Sequence, residues 1–300
     1  MTVDGLNKKF GRPGAVKFVP GQGSLAKIIL TSPAGTGEVY LLGAHVTSYV
    51  PAGGRDVLWT SAQSRFLPGQ PIRGGVPICF PWFSMHPDHK DLPMHGFVRL
   101  TEWSVVETGL ADGVAYAKLA IESDAEMAKA FDRRFKAEMT VSVGPVIELT
   151  LAATNIDSKP LRITEAFHTY FAVGDIRQAR ILGLGGSICD KNDGSARQTM
   201  PDEPLTIGGF INSVFINQRS ACELIDPAWA RTIRIEKSGS NSAIIWNPGP
   251  EFAVKMDDFP DSAWPEMVCI ESGNIRDDAT TLAPAQKHEM RVRLSARNSA

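Results

Sequence analysis

Three hundred residues, 43% hydrophobic and 21% charged, with a formal net charge of -2, have the make-up of an ordinary folded protein. No lysine or arginine cluster supplies the footprint that nucleic acid needs and no apolar stretch nears membrane-spanning length, so neither nucleic acid nor membrane is an expected partner. Cys79, Cys189, Cys222 and Cys269 are scattered and form no CxxC pair, which suggests neither a disulfide framework nor a thiolate zinc site but reduced thiols in a cytoplasmic protein.

Residues 1–10 are polar and of mixed charge, without the apolar centre of a secretory leader. Beyond them, runs of apolar and β-branched residues ended by Gly, Pro, Asn or Asp predict strands over 26–31, 38–50, 103–107, 114–121, 135–143 and 146–154. Gly144-Pro145 between the last two is a hairpin signal. Residues 124–131 are the best helical stretch, with Asp124 as cap and Met127, Ala128 and Phe131 on one face. Further strands are predicted at 161–167, 221–225, 232–236, 243–246, 267–271 and 288–294. Many strands without intervening helices argue for antiparallel sheets packed face to face. With no repeat and no linker, one domain over 1–300, with its core at about 20–296, is the simplest organisation.

Residues 70–103 break this pattern. Their string "PIRGGVPICFPWFSMHPDHKDLPMHGFVRLTEW" concentrates Pro, Gly, aromatics, arginines and histidines, and loops on a rigid scaffold often carry function. The glycines of "RGG" are expected to let the backbone pass close to a ligand. A planar guanidinium matches two oxygens of a phosphate, which makes Arg73 and Arg99 anion-binding candidates against the plainer role of salt bridging. His86, His89 and His95 match no defined metal motif, so solvated loop histidines are expected and no metal. The glycines near Gly183 lack the context of a dinucleotide fingerprint.

Opening a hemiacetal ring needs one proton removed from the anomeric hydroxyl and one given to the ring oxygen. His168, interrupting an apolar and aromatic strand, and Glu271, ending another, can supply these transfers from opposite sides of a sugar. Singly, such a histidine is more often a satisfied core residue and such a glutamate more often a solvated charge.

Taken together, the strings resemble a family. Arg73-Gly74-Gly75-Val76-Pro77, then His95-Gly96-Phe97-Val98-Arg99 and Trp103, then Phe167-His168-Thr169-Tyr170-Phe171, Trp246-Asn247-Pro248 and Cys269-Ile270-Glu271 follow the order of the glucose-6-phosphate 1-epimerases, the hexose-6-phosphate mutarotases. The resemblance implies an all-β, galactose-mutarotase-like β-supersandwich with few short helices, acting without cofactor on a phosphorylated hexose; a monomer is expected. It gives His168 the acid role and Glu271 the base role, sets Arg73, His95, Arg99 and Trp246 on substrate, and assigns the arginines to the phosphate. Glu271, near its reference pKa of about 4.3, is expected to be ionised. Asn212 stands where the family has a sugar-binding aspartate, Ser272 where proline is common and Ser84 where glycine is frequent. Asp175, Asp257 and Asp258 stay open as further acids. The alternatives are a carbohydrate-binding or regulatory sandwich without turnover, a plain aldose 1-epimerase, and a glycosidase, which would need a second carboxylate.

Overall fold

The computed structural model describes residues 1–86 and 88–298, with the backbone alone of 128 and 129. Strand alternation explains most of the fold. In Phe135–Val143, "FKAEMTVSV", the side chains of Phe135, Ala137, Met139, Val141 and Val143 are buried while the residues between them stay partly exposed. The Gly144-Pro145 turn then pairs Val143 with Ile147, as the hairpin signal predicts.

Two eight-stranded sheets dominate, and every strand-to-strand ladder is antiparallel. One runs in the order Arg180–Leu182, Cys222–Asp226, Arg231–Ser238, Lys287–Asn298, Ile147–Asn155, Phe135–Val143, Val114–Glu122 and Ser104–Ala111. The other runs Gln198–Thr199, Ile188–Asp190, Ile211–Ile216, Ser242–Asn247, Met267–Asn274, Glu165–Phe167 and Ile78–Cys79, with Tyr170–Ala172 also pairing with Met267–Asn274. A four-stranded sheet, Val16–Pro20 to His45–Pro51, lies N-terminal to both. One buried apolar cluster draws on all three, from Leu6 and Phe18 through Met139 and Ile245 to Leu294. Three short helices occur among the described residues, and none is long and apolar enough to cross a membrane.

Local departures from the sequence pattern have local causes. The run 38–50 divides into Gly35–Tyr40 and His45–Pro51 because the chain turns between them through left-handed Ala44. The run 161–167 divides between two sheets: Leu161–Ile163 pairs with Thr280–Leu282, while Glu165–Phe167 joins Met267–Asn274. Helix Val3–Phe10, hidden in a polar stretch, is capped by Thr2 and anchored by only two buried residues, Leu6 and Phe10. Helix Ala125–Phe131 forms where predicted, with the Asp124 carboxylate accepting from the backbone N–H of Glu126 and Met127. The side chain of Ala128 lies outside the described residues.

Candidate active site

Strand register makes the site. Phe167 pairs with Ser272 and Tyr170 with Cys269, so the same register carried across the break brings His168 opposite Glu271. Opposed residues of an antiparallel pair project to one face, and residues two apart share that face. His168 and Tyr170 accordingly stack at 4.9 Å between ring centroids, nearly parallel. His168 Nδ1 comes within 3.4 Å of Glu271 Oε1. Cys269 pairs in turn with Trp246, and Trp246 with Asn212, so one row of side chains crosses four strands from Tyr170 to Asn212. The break at 168–169 is closed by backbone bonds from His168 N–H to the Pro77 carbonyl and from Ile270 N–H to the Thr169 carbonyl.

Acid and base candidates are therefore neighbours on one wall, not groups facing each other across a sugar. That arrangement still serves ring opening, because the anomeric hydroxyl oxygen and the ring oxygen are bonded to the same carbon.

The loop 70–103 closes over this wall. Arg73 donates from Nε to both oxygens of Asp258 at 3.1 Å and from Nη1 to the Tyr170 hydroxyl at 3.0 Å. Arg99 donates from Nη2 to the Met94 carbonyl, and its buried Nε has no hydrogen-bond partner among the described residues. His95 packs edge-on to His168 at 5.5 Å. Its Nδ1 accepts from the Ser84 N–H at 3.0 Å, which makes Nε2 the protonated nitrogen and leaves a donor aimed elsewhere. Ser84 itself is held at φ +66°, a left-handed backbone that suits glycine, the residue expected there from the resemblance.

The glycines of "RGG" meet the chain itself, not a ligand. A Cβ at Gly74 would stand 2.4 Å from Thr60 Cα, and one at Gly75 2.2 Å from the Val46 carbonyl oxygen; both have positive φ. Behind the turn, buried His45 donates from Nε2 to the Gly74 carbonyl at 2.7 Å. The turn is thus locked from beneath, and it fixes where Arg73 emerges.

Burial sets the protonation of the pair. It drives His168 well below its ordinary 6.5, helped by the positive field of His95, Arg99 and Arg73. It drives Glu271 well above 4.5, with Arg99 opposing. The expectation of Glu271 near its reference value is not met: burial favours a neutral imidazole beside a protonated carboxyl group over the charged pair. His95 is likewise neutral, pushed down to about 3 by burial and by Arg99 and Arg73.

Of the residues singled out from sequence, His168, Glu271, Arg73, His95 and Arg99 converge, and Trp246 and Asn212 extend the same face. His86 and His89 stay together on the outer loop, their rings 5.1 Å apart, away from His95. Asp175 is bound by Arg177, and Asp257 is exposed beside Arg65. Asp258, left open from sequence, joins the site through Arg73, and Tyr170 and Cys269, quoted in the family strings without a role, line it. Asp258 lies 185 positions from its partner Arg73, with no local signal to join them.

Comparison with known proteins gives a consistent set of relatives. The family model described as aldose 1-epimerase matches residues 27–295. A candidate glucose-6-phosphate 1-epimerase of Cenchrus ciliaris is 32% identical over 269 residues, covering 86% of this chain and 80% of its own length. One of Escherichia coli K12 is 33% identical over 246 residues, covering 82% of each. Among solved structures, a candidate mutarotase of Salmonella typhimurium superposes with a TM-score of 0.88 at 27% identity, covering 98% of this chain and 99% of its own. Galactose 1-epimerase of Lactobacillus acidophilus shares the fold, with a TM-score of 0.75 at 12% identity over 95% of this chain and 99% of its own.

Proposed function

The chain belongs to the aldose 1-epimerase family, and from that premise we propose that it interconverts the α and β anomers of an aldohexose 6-phosphate, glucose 6-phosphate foremost. Its curated relatives carry that substrate in their names. The observation that carries the reading is the cross-strand pair His168 and Glu271 at 3.4 Å, with two arginines at its margin.

The pair does the chemistry with the one proton it holds. Arg73 and Arg99 take the phosphate dianion, which cancels the guanidinium charges that repel a proton from His168 and favours moving the proton from Glu271 to the imidazole. Glu271 then removes the proton from the anomeric hydroxyl while His168 gives one to the ring oxygen. The ring opens to the aldehyde, the bond between C1 and C2 rotates, and the reverse transfers close it on the other face. His95 Nε2–H, Trp246 and Asn212 are the contacts for ring and hydroxyls. Positioned acid-base groups contribute roughly 10²- to 10⁴-fold, and the anchored phosphate converts remote binding into orientation.

Arg73→Ala and Arg99→Ala test the phosphate assignment. Losing a charge-assisted hydrogen bond worth about 1.5 to 3 kcal/mol raises KM for glucose 6-phosphate by roughly 10- to 100-fold, with little change for glucose. Equal effects on both sugars would instead make the protein a plain aldose 1-epimerase.

A further inference from the structure

We propose that Cys269, Glu271 and His168 together form a binding site for a soft divalent cation of the zinc type, and that the bound ion shuts down anomer exchange by occupying the acid and the base. The scattered cysteines give no hint of it in sequence; strand pairing assembles it. Cys269 and Glu271 lie two apart on Met267–Asn274 and share a face, and His168 stands across from Glu271. A ring nitrogen, a thiol sulfur and a carboxylate oxygen thus come within 4.8 Å of one another, all three residues buried.

Two independent observations point to a ligand here. The first is spacing. Bond lengths to tetrahedral zinc put a nitrogen and an oxygen ligand about 3.3 Å apart, and either of them about 3.6 Å from a sulfur. His168 Nδ1 and Glu271 Oε1 are already 3.4 Å apart, and the Cys269 sulfur lies within 4.8 Å of its two partners' ligand atoms. The second is unmet bonding capacity: His168 Nδ1 and Glu271 Oε2 are buried without a hydrogen-bond partner among the described residues. A cation would satisfy the imidazole nitrogen, and Oε2 as well where the carboxylate grips it through both oxygens. The donor set, one thiolate, one imidazole and one carboxylate, is the mixture that suits zinc or cadmium and disfavours magnesium or calcium. Three protein ligands leave a fourth position open.

The neighbouring guanidiniums of Arg73 and Arg99 do not forbid this. Before an ion enters, the thiol, the imidazole and the carboxyl group carry no net charge between them. Binding displaces the thiol proton and the carboxyl proton as one doubly charged ion enters, so the net charge under the arginines is unchanged. His95 and Cys79 also neighbour the three and stay neutral, while burial and the adjacent Glu271 hold the Cys269 thiol well above its ordinary range, so the entering ion has to displace that proton. The binding claim stands on geometry alone; only the inhibition rests on the catalytic roles proposed above.

The test uses the full chain, freed of metal by a chelator, titrated with Cd²⁺ in the ultraviolet and with Zn²⁺ by calorimetry. The expected result is one ion per chain with a sulfur-to-cadmium charge-transfer absorption. Cys269→Ser abolishes that absorption and weakens Zn²⁺ binding by about tenfold or more, while Cys79→Ala keeps both. Because Cys269 is buried, Glu271→Gln serves as the second variant and weakens binding comparably, with folding checked by circular dichroism. Zn²⁺ slows anomer exchange in competition with glucose 6-phosphate in the wild type, and far less in Cys269→Ser. Absence of the sulfur absorption, or unchanged Zn²⁺ affinity in both Cys269→Ser and Glu271→Gln, overturns the proposal. A protein that binds Cd²⁺ through Cys269 yet never exchanges anomers would overturn the functional reading and the inhibition while leaving the metal site standing.

Discussion

Replacing His45 by glutamine should protect the fold against acid. His45 is 1% exposed and donates from Nε2 to the Gly74 carbonyl beneath the turn that carries Arg73. Burial lowers its pKa from 6.5 to about 4, partly offset by that hydrogen bond. The folded protein therefore refuses a proton that the unfolded chain accepts below pH 6.5. Stability from this residue is complete above 6.5 and drains away as the pH falls towards 4. At about 1.4 kcal/mol per pH unit, roughly 2.5 kcal/mol is gone by about pH 4.5. Glutamine offers an amide N–H at a similar reach to Gly74 and cannot be protonated. Denaturant unfolding at about pH 7.5 and about pH 4.5 should show His45→Gln losing about 2.5 kcal/mol less than the wild type between the two. His95 and His168 contribute their own acid sensitivity to both proteins, so the difference isolates His45. Equal losses in the two proteins would refute the assignment of a neutral, buried donor.

Two further substitutions probe the loop. Asp258→Asn removes the carboxylate that occupies Arg73 and would repel a phosphate; both side chains are partly exposed, at 26% and 20%, so the pair is worth about 1 kcal/mol and KM for glucose 6-phosphate should fall by about fivefold. A rise in KM would mean that Asp258 orients Arg73 instead of competing for it. Ser84→Gly relieves a left-handed backbone at φ +66° while keeping the backbone bonds to His95, and should raise stability by about 1 kcal/mol, read as a higher Tm. A lower Tm would show that the serine hydroxyl matters more than the strain.

What the sequence makes legible follows the range of the interactions. Period-two runs such as 135–143 and 146–154 carry their own signature, and their strands and hairpin stand where predicted. Short strands without alternation, such as Ile78–Cys79 and Tyr170–Ala172, are buried throughout and held by long-range pairing, so nothing local marks them. The site divides in the same way. His168 and Glu271 stand out as polar residues in apolar strands, but their direct contact depends on a register shared across 103 positions, and their protonation depends on burial that composition does not display. The "RGG" glycines show the opposite error: their motif suggests a ligand, and their crowding is against the chain's own backbone.

The most direct test of the account is two-dimensional exchange NMR between the anomers of glucose 6-phosphate, with wild-type protein and with Glu271→Gln. Glutamine fills the same buried volume beside His168 but holds no transferable proton, so the account predicts a folded protein whose enzyme-dependent exchange has dropped by about 100-fold or more. Exchange at the wild-type rate in that variant would contradict it.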